Sequence, residues 1–420
     1  MSFSTALSGL NAASNSLAVA GNNIANANTS GFKKSRSEFA DVYGSSLAGV
    51  SSITPGQGVR VINDAQQFKQ GSLNATGNNL DLAISGQGFF TLAASADPGD
   101  LNNLSYTRAG VFKLNKDGVV VNGIGRALLT FKPNGTTAAQ GFSTGVMQPL
   151  TIKSVLGKAK PTDNVSINVN LDATKPAIPT TPAFDPTNLS TFTSQTSSTI
   201  YDSVGATHTI TSYFINRTPV ATPPVPTWDV KHYIDGTPVG GGGTLGFDSS
   251  GGLISGTTFA LPPFTITPAT GAAPIVIGTL SYTGTTVSAQ KFGANSLTQN
   301  GLPVGQLTGI DIDNKGAIFS RFSNGGSEVL GQVALSRFSN PQGLAKLGDT
   351  AWGRSADSGE ATIGAATSNN FGDIQSGSLE ASNVNLSAQL VKLIVAQQAY
   401  QANAKTITTE NKITQTILNI

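Results

Sequence analysis

The two ends of the chain constrain it most. Residues 1–32 carry no charged side chain, and their large apolar residues, Phe3, Leu7, Leu10, Leu17 and Ile24, step by four, three, seven and seven. That is the spacing of a heptad seam, with Ser14 and Gly21 in the remaining core slots, where small side chains allow close helix approach but bury little area. The other faces hold Asn, Ser, Thr and Ala, without the Glu and Lys that usually keep an exposed helix solvated. The C-terminus repeats the design. Leu386, Leu390, Leu393, Gln397, Tyr400, Ala404 and Ile407 alternate steps of four and three, and the stripe drifts on to Ile413, Ile417 and Ile420. Ser382 or Asn385 offers a cap, and no Gly or Pro interrupts the chain beyond Gly377, so the pattern predicts a helix of about 35 residues. Two under-charged helices at opposite ends are expected to pair with each other and with copies of themselves, ordering fully only on assembly.

Composition removes most other functions. Only 11% of the 420 residues are charged, against roughly a quarter in an average soluble protein. A formal charge of +2 lacks the positive field that drives binding to phosphate backbones or anionic membranes, so nucleic acid is not an expected partner. The absence of Cys excludes disulfides, thiolate catalysis and thiolate metal sites. No run approaches the roughly 18 to 20 apolar residues of a membrane helix, and the N-terminus has neither the basic head nor the apolar core of a cleavable signal peptide. No membrane insertion is expected.

Between its ends the chain reads as β. Residues 79–130 alternate apolar and polar with turn signals at Ser85-Gly86-Gln87-Gly88, Lys116-Asp117-Gly118 and Asn122-Gly123, and the same texture returns at 306–337. Separating the two is a stretch rich in Thr, Pro and Gly, including Pro219, Pro223, Pro224 and Pro226 and the glycines 240–243, which reads as an inserted β domain with long loops. The expected fold is α+β and multidomain: paired terminal α-helices in a coiled-coil-like core, with nested β-rich domains, the outer inserted in the inner. The expected boundaries are an N-terminal helix 1–32, an extended connector 33–76, an inner β domain in halves 77–155 and 302–375, the outer domain 156–301, and a C-terminal helix 376–420.

Catalytic signatures are missing. His208 and His232 lie in strand-like runs and read as structural. No G-x-S-x-G precedes a helical stretch, and Gly157-Lys158 is followed by Ala159 in place of the Ser or Thr of a phosphate loop. Asp311, Asp313 and Lys315 suit a β turn better than a calcium loop, because Phe322 stands where the twelfth-position Glu belongs. Catalytic, cofactor-binding and metal-ligating residues are therefore none, and an enzyme is not expected. The run Phe32-Lys33-Lys34-Ser35-Arg36 reads as a solvated exit from the first helix.

Four ordered stretches carry a resemblance. Ser8–Lys33, with Asn22, Asn23, Asn26, Gly31 and Phe32 at its signature positions, Gly77–Phe90, Tyr106–Val121 and Leu379–Ile407 are similar to the bacterial flagellar axial proteins, the rod, hook and hook-associated family. The resemblance implies a self-polymerising tube in the flagellum, assembled through a helix core that includes Phe3, Leu7, Leu10, Leu17, Ile24, Leu386, Leu390, Leu393, Tyr400 and Ile407. The insertion near 155–300 and the segment Ser336–Ser355 are similar to the family's hook members, whereas rod members lack a large insertion. It further implies homopolymer contacts, a distal rod protein at one end, hook cap and hook-filament junction proteins at the other, and export through the flagellar apparatus without a cleaved signal peptide to an extracellular site. A distal rod or junction protein, or an extracellular adhesin-like binding protein, are the alternatives.

Overall fold

A computed structural model of the chain describes residues 3–42, 56–94, 103–152, 156–219, 225–265 and 271–418. Residues 43–55 of the expected connector, Pro223, Pro224 and Ile420 lie outside them. The chain divides into two compact units. One comprises Met1–Lys153, Ile310–Ser320 and Glu328–Ile420, and the other Ser154–Gly309 and Arg321–Ser327.

The first unit contains both terminal helices, α1 (Phe3–Ala25) and α2 (Leu386–Leu418), packed against each other. Asn385 caps α2, its Oδ1 accepting the Ala388 amide at 3.0 Å. α1 stops at Ala25 because its end is wrapped by side chains: Asn26 Nδ2 donates to the Asn22 carbonyl at 3.0 Å and Thr29 Oγ1 to Asn26 Oδ1 at 3.1 Å. The chain then turns at Gly31, φ +71°, where a Cβ would sit 2.3 Å from the Ala109 nitrogen, so glycine is required by conformation and by space. Beyond the turn lies a two-stranded antiparallel ribbon, Ser35–Asp41 against Val59–Gln66, in a region expected as an extended connector. It is fastened to α1: Asn15 Nδ2 donates to Asp64 Oδ1 at 2.9 Å and the Val59 amide to Ser8 Oγ at 3.2 Å.

The β body of this unit is an antiparallel sheet that includes Phe89–Ala93, Leu104–Thr107, Ala127–Pro133, Ser327–Arg337 and Ala351–Gly353. Phe90, Leu92, Leu128, Leu129, Phe131, Val333 and Leu335 are fully buried in it. Phe68, Phe89, Tyr106, Phe338 and Trp352 form an edge-to-face aromatic cluster. The returning chain closes the body: Asp373–Ser376 pairs antiparallel with Leu82–Ser85, and Ser378–Glu380 with Leu73–Ala75. Strands about 300 positions apart in sequence thus pair with each other, and the unit is built from both halves of the chain.

The second unit is a β sandwich. One sheet is an antiparallel meander of Ser194–Tyr201, Thr207–Asn216, Thr227–Ile234, Thr237–Phe247 and Leu253–Ser255. The other is centred on Asn164–Asp172, which pairs parallel with Thr279–Ser281 and Thr286–Ser288 and antiparallel with Gly293–Gln299. Val165, Ile167, Val169 and Leu171 meet Phe214, Trp228, Val230 and Phe247 in one apolar core. His232 is buried there, with Ser212 Oγ 3.3 Å from its Nδ1 and the Tyr282 hydroxyl donating to the same Ser212 oxygen at 2.9 Å. Burial, aided by the charge of Lys231, holds the His232 imidazole down at about 4.

Candidate functional site

The first unit places a charged cluster where both helices join the β body. Lys33 and Glu380 are fully buried and meet at 2.5 Å, Nζ to Oε1. Lys33 also donates to the Lys69 carbonyl at 3.1 Å, and the Gly71 amide donates to the same Glu380 oxygen at 2.8 Å. On the other carboxylate oxygen Arg108 Nη1 stands at 3.4 Å, while its Nη2 donates to the Gly86 carbonyl at 2.8 Å and its guanidinium lies 5.4 Å over the Phe89 ring. Burial pushes the Lys33 ammonium and the Arg108 guanidinium below their ordinary values, and the Glu380 charge opposes that in both. Lys33 therefore is not the solvated exit that its basic neighbours suggest. It is a buried cation whose counter-charge comes from the far end of the chain.

Asn23 and Asn383 complete the junction. Asn23 Nδ2 donates to the Ser35 carbonyl at 2.8 Å and its Oδ1 accepts the Ser35 amide at 2.9 Å. Asn383 Oδ1 accepts the Lys34 amide at 2.8 Å, and its Nδ2 donates to the carbonyls of Gln67 at 2.6 Å and Lys69 at 2.8 Å. Each amide side chain pairs with backbone groups that no strand satisfies. Of the signature residues, Asn23 and Gly31 are buried, Asn26 and Phe32 half-buried and Asn22 exposed.

Above the junction the helices run antiparallel, since Asn23 Nδ2 reaches Gln389 Oε1 at 3.3 Å while Gly9 lies against Asn403. The buried side of α1 is Ala6, Ala13, Ala20 and Asn23, with Gly9 and Ser16 between them, a small-residue heptad series one position off the large apolar one. A Cβ on Gly9 would stand 2.6 Å from Asn403 Oδ1, so the helices are close there. On α2, Gln389 and Asn403 meet α1, and Ala396 is buried between them.

That closure leaves the large side chains over. Phe3, Leu7, Leu386, Leu390 and Tyr400 are exposed, and Leu10, Leu17, Ile24, Leu393 and Ile407 are half-buried. Val391, Ile394 and Val395 are more than half exposed. At about 1.5 Å per residue α2 is the longer by about 15 Å, and its final turns pass the start of α1 with Ile413, Ile417 and Leu418 exposed. An apolar groove of about 500 Å³ runs between the helices and the ribbon, lined by Gly9, Ala13, Val395, Ala399, Phe39 and Val59. Among the described residues, no group of three or more His, Cys, Asp or Glu stands where it would hold a metal ion, and no helix is long and apolar enough to cross a membrane.

The small-residue seam was open to reading, because Ala6, Gly9, Ala13, Ser16, Ala20 and Asn23 alternate steps of three and four. Nothing local marks Glu380 as the partner of Lys33.

Terminal helices that close on each other through small residues, leave part of their large ones exposed and carry nested β units fit a structural subunit of the flagellar axial class. Family models match in four places: the flagella basal body rod protein at 3–33, the flagellar hook protein FlgE/F/G D1 domain at 83–178, the flagellar basal body protein FlaE D2 domain at 170–302, and the flagellar basal body rod FlgEFG protein C-terminal at 375–420. Over the full length of both chains, this one is 39% identical to the flagellar hook protein FlgE of Salmonella typhimurium and 36% identical to that of Escherichia coli. The crystal structure of Helicobacter pylori flagellar hook protein FlgE2 is similar at 16% identity and a TM-score of 0.49, over 73% of this chain and all of that one. The chain belongs to the flagellar hook protein family. It is a hook subunit, and that family is structural, not catalytic.

Proposed function

We propose that the helix pair is the polymerising element of the subunit, and that copies stack through the apolar residues the pair leaves exposed. One observation carries this: Leu7, Leu390, Val391, Ile394 and Val395 stay open to solvent although the two helices are already closed on each other. Burying such a row between copies contributes about 1.5 to 3 kcal/mol per large side chain. The product is a hollow tube that joins rod to filament, transmits torque and conducts exported subunits. Distal rod protein abuts one end, hook cap and hook-filament junction proteins the other, and the chain leaves through the flagellar export apparatus.

Bending under torque needs axial continuity near the centre and contacts that shift cheaply outside it. The helices supply the first, and the Thr- and Gly-rich surface of the sandwich the second. Residues 1–32 carry no charged side chain on any face, which suits a channel wall that does not retain passing chains. Electron microscopy of deletion variants under polymerising conditions tests the division of labour. Removing 386–420 is expected to abolish tubes, and removing 160–298 to leave tubes of altered curvature. Tubes formed by the tail deletion contradict the helix-docking reading.

A further inference from the structure

Asn-Gly dipeptides are the backbone positions most prone to spontaneous deamidation, because glycine puts no side chain between its amide nitrogen and the preceding carboxamide carbon. The chain has four: Asn122-Gly123, Asn134-Gly135, Asn300-Gly301 and Asn324-Gly325. In a folded protein, cyclisation requires the Gly amide to be free to attack and the Asn side chain to be free to turn its Cγ onto it.

Three of the four are tied down. Asn122 Oδ1 accepts the amides of Ile124 at 3.2 Å and Arg126 at 2.9 Å. Asn300 Oδ1 accepts the amides of Asp163 at 3.2 Å and Asn164 at 3.1 Å, and the Gly301 amide is held by Gln299 Oε1 at 2.5 Å. Asn324 Nδ2 donates to the Pro303 carbonyl at 2.6 Å, its Oδ1 accepts the Gly326 amide at 2.9 Å, and the Gly325 amide is bound to the Phe322 carbonyl at 3.0 Å. Asn134 differs from the other three in its exposure and in its carboxamide oxygen, which holds no backbone amide where theirs each hold at least one. It is exposed where the other three are half-buried, its Oδ1 and the Gly135 amide make no hydrogen bond among the described residues, and its Nδ2 makes one long contact, 3.4 Å, with the Gln140 carbonyl.

We propose that Asn134 is a site of covalent ageing in the folded subunit. The Gly135 nitrogen attacks Asn134 Cγ, the carboxamide nitrogen leaves as ammonia with the proton that the Gly135 nitrogen gives up, and a succinimide closes. Water then opens the ring at either carbonyl, giving aspartate or isoaspartate without oxidant or cofactor. Each event lowers the formal charge of +2 by one. The isoaspartyl product also adds a methylene to the backbone of the loop between the strands Ala127–Pro133 and Phe142–Pro149, beside the 3.1 Å bond from the Asn134 amide to the Gly141 carbonyl.

The test incubates the purified full chain in mildly alkaline buffer and follows isoaspartate at each Asn-Gly by peptide mass mapping and isoaspartyl methyl-ester labelling. In the folded protein, position 134 is expected to convert at least about tenfold faster than 122, 300 or 324, and in denaturant the four rates should converge. Asn134→Gln should remove the signal at 134 alone. Folded rates at all four positions within about twofold of one another, or an Asn134 that stays amide while another converts, overturn the assignment.

Discussion

Glu380 is a single buried anion facing two buried cations, so neutralising it leaves Lys33 and Arg108 without a counter-charge. Removing one partner of a buried ion pair costs about 3 to 5 kcal/mol. Glu380→Gln is expected to destabilise the first unit by that order, read as a lowered urea midpoint, and adding Lys33→Met should recover part of the loss. An unchanged midpoint for the single variant would show the cluster to be energetically idle. His232 makes a pH-dependent contribution of opposite character. Its folded value of about 4 lies below the ordinary 6.5, so between these values the unfolded chain binds the extra proton. Its contribution is therefore complete above pH 6.5 and lost as pH falls to 4, by about 3 kcal/mol in all. Urea titrations of the sandwich at neutral pH and near pH 4.5 check this, and His232→Gln should flatten the difference. That both histidines lie in strands was legible from their alternating neighbours, whereas the burial of Lys33 was not, because the side chain that neutralises it stands 347 residues away.

At the scale of elements, the two helices were legible from periodicity, and the cap of the second as either Ser382 or Asn385, of which Asn385 holds the Ala388 amide. The facing sides leave a trace too, in the spacing of Ala6, Gly9, Ala13, Ser16, Ala20 and Asn23, but large apolar residues dominate a pattern search while close approach selects small ones. Ala13 stands in that close seam and Leu7 outside it. Ala13→Leu is expected to overpack the pair and cost about 1 to 3 kcal/mol, whereas Leu7→Ser should change monomer stability by no more than about 0.5 kcal/mol. Thermal unfolding followed by helical circular dichroism separates the two, and equal effects would contradict the seam. The ribbon Ser35–Asp41 with Val59–Gln66 escaped a local reading because its hydrogen bonds to α1 come from Ser8 and Asn15, positions with no strand signal of their own.

For the whole molecule, the nesting of helix, β body, insertion, β body and helix was legible because the alternating texture of 79–130 returns at 306–337 on the far side of a Thr-, Pro- and Gly-rich stretch. The interior of the sandwich was not. The central strand Asn164–Asp172 takes its neighbours from beyond residue 279, across the entire meander, and no local alternation encodes that choice. The same long reach makes the subunit one that closes only when its last forty or so residues are present, since Glu380, Asn383 and α2 all come from there. Whether the side chains this closure leaves outside are what joins one copy to the next is decided most directly by the double variant Leu390→Ser/Ile394→Ser, followed by sedimentation and electron microscopy. Monomers with unchanged helical content and a critical concentration for tubes raised about a hundredfold or more are the expected result. Tubes at the unaltered concentration would place the joining surface elsewhere.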